Sequence, residues 1–163
     1  MPQPVLSAEE LLAWVDRTAS GWRELLTRHP EVLELPCDVN GVSTAGGLLQ
    51  HIVAAQLRYA ERLGRLPVTD YSEIPFDSPE AIDSTHRRSV EMLRQQLAGE
   101  IDWTERMEFD TRSGTGRSSR RTILFHALFH SIRHYAQLAT LVRQHGIQPL
   151  WPMDYLFMDL EEV

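Results

Sequence analysis

The sequence predicts an all-α fold, a four-helix bundle of up-down order with a long crossover between the third and fourth helices. Three observations favour this fold. Four long segments carry apolar side chains at helical spacing. Proline and glycine residues separate those segments. The chain of 163 residues is long enough for a single domain, residues 1–163, to bury a sizeable core without disulfides.

The first helix has clear signals at both of its ends. Ser7 is a predicted N-cap, and Glu10, three residues later, completes a capping box. The helix is expected to run to about His29, because Pro30 cannot continue it. Its apolar stripe consists of Leu11, Leu12, Val15, Trp22, Leu25 and Leu26.

The second and third helices are also bounded by caps. The stretch Pro36–Gly41 is expected to be a loop, after which Ser43 or Thr44 starts the second helix and Gly64 ends it. A linker from Pro67 to Pro75 follows. The apolar stripe of the second helix consists of Leu48, Ile52, Ala55, Tyr59 and Leu63. That of the third helix consists of Ile82, Val90, Leu93 and Leu97. Ser78 and Pro79 form the N-cap and first position of the third helix, which reaches Gly99.

Residues Met107 to Arg121 alternate more than they follow a helical period, and two glycines interrupt them. A short β-hairpin in the crossover, or an ordered loop, is therefore expected. The stretch also holds the only dense basic run of the chain, which is formed by Arg112, Arg117, Arg120 and Arg121. This run could contact an anion, but a solvated loop on an acidic protein is the favoured interpretation.

Composition excludes several classes of protein. The net charge of −7 argues against a nucleic-acid surface, and no apolar run is long enough to span a membrane. Cys37 is the only cysteine, so a disulfide framework and a cysteine-based zinc site are excluded. No histidine near Cys37 would activate it as a nucleophile. We expect a cytoplasmic protein without a secretion signal.

The fourth helix, from about Thr122 to His145, carries His126, His130 and His134 at four-residue spacing. On a helix the second and third rings lie about 40° and 80° round from the first. Imidazoles along one narrow face suit a borderline transition metal such as nickel, zinc, iron or copper, and not magnesium or calcium. His51 is the obvious further ligand, because its position on the second helix faces the bundle interior beside apolar residues.

Other metal sites fit the sequence less well. The chain has no Glu-x-x-His pair, no His-Glu-x-x-His motif and no acidic residue in the fourth helix. A mononuclear three-histidine site with open positions remains, which would act as a Lewis acid or lower the pKa of a bound ligand. The sequence identifies no catalytic residue or general base. His29, His86 and His145 are expected to be solvated.

Three segments resemble the DinB / YfiT-like family of metalloenzymes. They are Leu48-Leu49-Gln50-His51-Ile52-Val53, His130-Ser-Ile-Arg-His134-Tyr-Ala-Gln137 and Leu141-Val142-Arg143-Gln144-His145-Gly146. The resemblance implies a four-helix bundle in which His51, His130 and His134 bind the metal. The glutamine of the family pattern corresponds to Gln137, which would orient a ligand, bind substrate or only pack. The pattern does not require His126, which is expected to lie beside the ligands or to pack.

The resemblance also implies a function and an assembly. Members with known chemistry are thiol-dependent transferases or isomerases, and members often form homodimers. We therefore expect a metal-dependent enzyme that transfers a low-molecular-weight thiol or hydrolyses a small molecule. The alternative is a non-catalytic metal-binding bundle with a structural, sensing or interaction role, in which a fourth ligand such as His126 closes the site. The apolar tail from Leu150 to Met158 must pack on its own bundle or on a second subunit.

Overall fold

The computed structural model describes residues 5–39, 41–111 and 114–161. It is mostly helical, as predicted, with two small antiparallel sheets in addition. The helices are α1 (Ala8–Arg28), α2 (Ala45–Leu63), α3 (Pro79–Ala98) and α4 (Arg120–Gln144). The strands are β1 (Pro36–Val39) and β2 (Val42–Thr44), then β3 (Arg106–Thr111) and β4 (Gly114–Ser119). Short 3-10 turns span Pro30–Glu34, Tyr71–Glu73 and Tyr155–Met158.

Side-chain caps begin all four helices. Ser7 and Glu10 form the predicted capping box of α1, with the Glu10 amide donating to Ser7 Oγ over 3.1 Å. Thr44 accepts a hydrogen bond from the Gly47 amide, and Ser78 accepts one from the Ala81 amide. Ser119 caps α4, which therefore begins at Arg120, two residues earlier than predicted. Each cap satisfies an amide that lacks a partner within its own helix.

The helices pack in a cyclic order. α2 contacts α3 and α4, and α1 contacts the same two helices from the other side. α1 and α2 therefore lie diagonally across the bundle, and the groove between α2 and α4 runs along one side of it. The core has one half around Trp22, Leu49 and Leu138 and another around Leu11 and Leu124.

The stretch Pro36–Gly41 is not the loop that was predicted. β1 and β2 pair antiparallel there, with Pro36 opposite Thr44 and Val39 opposite Val42. Gly41 has a φ of 77°, a left-handed conformation that glycine adopts at little cost. The dipeptide Asn40-Gly41 is the sequence signal for such a hairpin. The hairpin buries Cys37 against the core.

The hairpin between α3 and α4 is confirmed. β3 and β4 pair in continuous register from Arg106 opposite Ser119 to Thr111 opposite Gly114. The basic run is only partly the solvated surface that was expected. Arg117 and Arg121 are exposed, but Arg120 is 8% exposed, donates to the Leu63 carbonyl and pairs with Glu105 at 3.1 Å. Arg112 lies outside the described residues.

The tail after α4 packs on its own bundle. The Trp14 indole donates to the Met153 carbonyl over 3.0 Å, and the Trp151 ring meets Trp22 edge-on at a centroid distance of 5.2 Å. Trp151 also lies directly on Gly21 of α1. Leu156 remains 65% exposed. Along the described helices, no stretch is long and apolar enough to cross a membrane.

Candidate metal centre

Packing of α2 against α4 brings three histidines into one cluster. His51 Nε2 lies 2.9 Å from His130 Nε2. The His134 ring lies 4.4 Å from the His130 ring and 4.9 Å from the His51 ring, measured between centroids. One potential ligand atom of each ring lies within 4.8 Å of the other two. The structure therefore brings together the three residues that the family resemblance implied as ligands.

Burial keeps the rings of His130 and His134 neutral. His130 is 9% exposed and His134 is 2% exposed. Burial, followed by the charges that His134, His51 and His126 would carry, lowers the pKa of His130 to about 3. Burial also lowers the pKa of His134, although the hydrogen bond to Gln137 opposes the shift. A neutral imidazole keeps the lone pair that a metal requires, whereas a protonated one does not.

Gln137 orients the His134 ring. Its side-chain oxygen lies 2.6 Å from His134 Nδ1, one turn along α4, so Nδ1 carries the hydrogen and donates it. Arg133 Nη2 lies 3.2 Å from His134 Nε2, where only an acceptor nitrogen can receive its hydrogen. Both contacts define the same tautomer, with Nε2 unprotonated and its lone pair accepting from Arg133, so a metal at Nε2 would take the place of that hydrogen bond. Metal-binding histidines are commonly held in this way by a partner on the other ring nitrogen.

The cluster fits a nitrogen-ligated transition metal. Nitrogen ligands about 2.1 Å from one ion stand about 3.0–3.4 Å apart at octahedral or tetrahedral angles. The Nε2 atoms of His51 and His130 stand 2.9 Å apart, and ligand atoms of all three rings lie within 4.8 Å of one another. The rings come from two helices packed against each other. His130 Nδ1 is buried without a hydrogen-bond partner among the described residues. Three converging imidazoles and an unsatisfied buried nitrogen suit a bound divalent cation better than they suit a packed core.

His126 stands apart from the cluster. Its ring centroid lies 5.6 Å from that of His130, and it meets the Tyr59 ring edge-on at 5.3 Å. The side chain is exposed, and burial of part of the ring followed by the charge of Arg133 lowers its pKa. It lines a cleft of about 330 Å³ together with His51 and His130. The structure thus gives His126 a place beside the cluster, at the wall of an open cleft.

Comparison with known families decides the classification. The DinB family model matches residues 1–162. The chain belongs to the DinB family. A search of curated proteins finds no match. Membership in the DinB family and the three-histidine cluster are both compatible with a metal-binding protein.

The cleft of this DinB-family chain also contains residues that sequence reasoning missed. Arg58 and Arg62 of α2 line it, and Asp110 of β3 reaches it from the crossover hairpin. The signal was present in part, because Arg58 and Arg62 follow His51 by seven and eleven residues. That spacing places them within about 20° of His51 around the helix. The spacing of residues in the sequence could not predict that Asp110 of the hairpin reaches the cleft.

A buried polar network behind the cluster was also missed. His86 was expected to be solvated, and that prediction is wrong, because the residue is 3% exposed. Its Nε2 lies 3.0 Å from Asp16 Oδ1, and its Nδ1 lies 2.8 Å from Gln56 Oε1. Gln56 Nε2 in turn donates to Ser131 Oγ over 2.9 Å. The network joins all four helices and ends next to His130.

Proposed function

We propose that this chain is a metalloenzyme that binds one divalent transition metal, nickel, zinc or iron, through His51, His130 and His134. The single observation that carries this proposal is the convergence of three imidazoles beside an open cleft, which His51 and His130 line. Magnesium and calcium are not expected, because the cluster offers no oxygen ligand. Gln137 would hold His134 in its ligating tautomer.

The proposed reaction is the transfer or addition of a low-molecular-weight thiol. Hydrolysis of a small molecule is the second candidate reaction. When bound, the metal would supply Lewis acidity and lower the pKa of a thiol or water. The chain itself positions the reactants: Tyr59 and His126 form one wall of the cleft beside the cluster.

The alternative function is a non-catalytic metal-binding bundle. A structural site is normally closed by a fourth protein ligand, for which His126 was the candidate. Among the described residues, the group that could hold an ion consists of His51, His130 and His134, without His126. The cleft beside that group favours an enzyme, since it leaves room for a substrate next to the metal.

A substrate panel with purified protein tests the proposal. The protein is loaded with zinc, nickel or ferrous iron and incubated with small thiols, each paired with an electrophile. We expect thiol consumption that stops when a chelator removes the metal and returns when the metal is restored. The His130→Ala variant is the negative control and should be inactive. The His145→Ala variant, altered at an exposed histidine, is the positive control and should remain active. Activity that persists in the chelated wild type, or that stays at the wild-type level in the His130→Ala variant, would contradict a metal-dependent enzyme.

A further inference from the structure

One face of α2 continues from the histidine cluster into the cleft. His51, Ala55, Arg58, Tyr59 and Arg62 all line the cleft. Their spacing places them within an arc of about 100° on the helix, with Arg58 about 10 Å and Arg62 about 16 Å along the axis from His51. The cleft therefore has a histidine end and an arginine end. We call Arg58 and Arg62 the arginine pair.

The arginine pair is among the arginines whose charge is not paired with a carboxylate in the described chain. Carboxylates form ion pairs with six arginines of the described chain, namely Arg23, Arg65, Arg87, Arg88, Arg94 and Arg120. Within the same described part, neither member of the arginine pair forms such an ion pair. Asp70 is near Arg58, but hydrogen bonds from Ser72, more than the charge of Arg58, hold the pKa of Asp70 below its usual range.

Arg62 is held in place by aromatic rings. Its guanidinium carbon lies 5.8 Å from the Tyr59 ring centroid and 5.5 Å from that of Phe109 on β3. Rings contact the flat face of a guanidinium, and the N–H edges remain available as donors. The crossover hairpin therefore fixes an anion-binding group at the cleft without neutralising it.

The local charge of the cleft opposes that of the whole protein. Two arginines against Asp110 leave one net positive charge among the lining residues, whereas the chain carries −7. Asp110 is itself engaged, since Thr115 Oγ1 donates to it over 3.0 Å. A positive cleft on an acidic protein concentrates anions, and guanidinium groups bind carboxylates through paired N–H donors.

We infer that the arginine pair binds a carboxylate of the substrate, so that the enzyme acts on small carboxylate-bearing molecules. This inference rests on the proposed function, because it places the reacting group of the substrate at the histidine end. The carboxylate end occupies Arg58 and Arg62. The cleft thus selects molecules that carry an anionic group several bonds away from the atom that reacts.

The first arm of the test uses metal-free protein and succinate, with neutral succinamide as the matched ligand. NMR signals of the arginine Nε–H groups report the contact. We expect succinate, but not succinamide, to shift the signals of Arg58 and Arg62 saturably. Arg58→Gln and Arg62→Gln should each weaken succinate binding about tenfold, as for loss of a charged hydrogen bond. Arg143→Gln, at an exposed position outside the cleft, should not. Undiminished binding in both cleft variants would overturn the inference.

The second arm uses zinc-loaded protein and calorimetry with 6-mercaptohexanoate, which is long enough to reach from the histidine end towards the arginine end, and neutral 6-mercaptohexanol. We expect the wild type to prefer the carboxylate thiol, and Arg58→Gln and Arg62→Gln to lose that preference at unchanged zinc content. A preference that persists in both variants overturns the inference. Absence of binding by either thiol, with the succinate result intact, contradicts the proposed thiol chemistry and leaves the carboxylate site supported. The two failures are therefore distinguishable.

Discussion

At the scale of single residues, the contact between Gln137 and His134 is the one that prepares the site for a metal. The glutamine oxygen accepts the Nδ1 hydrogen of His134 over 2.6 Å and so leaves the other ring nitrogen unprotonated. We predict that Gln137→Ala lowers metal affinity about 10–100-fold, as for other partners of metal-binding histidines. Gln137→Glu keeps an acceptor and should retain affinity. Competition with a chromogenic chelator measures both, and equal affinity of Gln137→Ala and wild type would refute this role.

Asp16 is a single residue that makes the stability of the fold depend on pH. Its hydrogen bond with His86, together with Arg94 at 2.7 Å, holds the pKa of this carboxyl below the ordinary value of 3.8. Because the native pKa is the lower one, the carboxylate stabilises the fold above about pH 4, and this contribution is lost as the pH falls below 3.8. Asp16→Ala should lower the free energy of unfolding at pH 7 by about 1–3 kcal/mol.

Urea unfolding from pH 7 to pH 3 measures that effect. The loss of stability on acidification should be shallower in Asp16→Ala than in the wild type, since the variant lacks the group that titrates. Asp38→Ala, altered at an exposed aspartate of β1, is the control and should parallel the wild type. Parallel curves for Asp16→Ala and wild type would contradict the assignment.

At the scale of elements, α1 and the tail are in close contact at Gly21. A Cβ on Gly21 would lie 2.2 Å from the Trp151 ring, so Gly21→Ala should displace the tail and cost about 1–3 kcal/mol of stability. In a Trp151→Ala background, Gly21→Ala should instead stabilise the protein. Alanine would then fill free space in a helix and stabilise it by about 0.5–1 kcal/mol. Denaturant unfolding of the wild type, the two single variants and the double variant measures the coupling between the two positions. Additive effects on the free energy of unfolding would rule out the contact.

The elements also show what the sequence could and could not predict. Helix ends were predictable because caps such as Ser7 and Ser78 act on amides three residues away. The clustering of His51 with His130 followed from family resemblance and helical facing. The environment of His86 was not predictable, because its partners Asp16 and Gln56 come from two other helices. Local spacing reveals which face of a helix a residue occupies but not what packs against that face.

At the scale of the whole molecule, the tail leaves apolar surface uncovered. Leu150, Leu156 and Leu160 are 71%, 65% and 55% exposed even though Trp151 and Met153 pack on the core. Apolar side chains grouped in one exposed segment commonly mark an interface. We predict a homodimer, with a mass by light scattering of twice 18.7 kDa at micromolar concentration. Leu156→Ser should shift the equilibrium to monomer, whereas Leu66→Ser, exposed elsewhere, should not. A wild-type mass near 18.7 kDa would contradict the dimer.

We propose that His51, His130 and His134 together hold one metal ion, and the decisive measurement is the metal content per chain. Each protein is loaded with zinc, freed of excess metal and analysed for elements. We expect one ion per chain in the wild type, almost none in His51→Ala, His130→Ala and His134→Ala, and nearly full content in His126→Ala and the control His145→Ala. Undiminished metal in folded His51→Ala, the variant that removes the α2 ligand, would contradict the proposal.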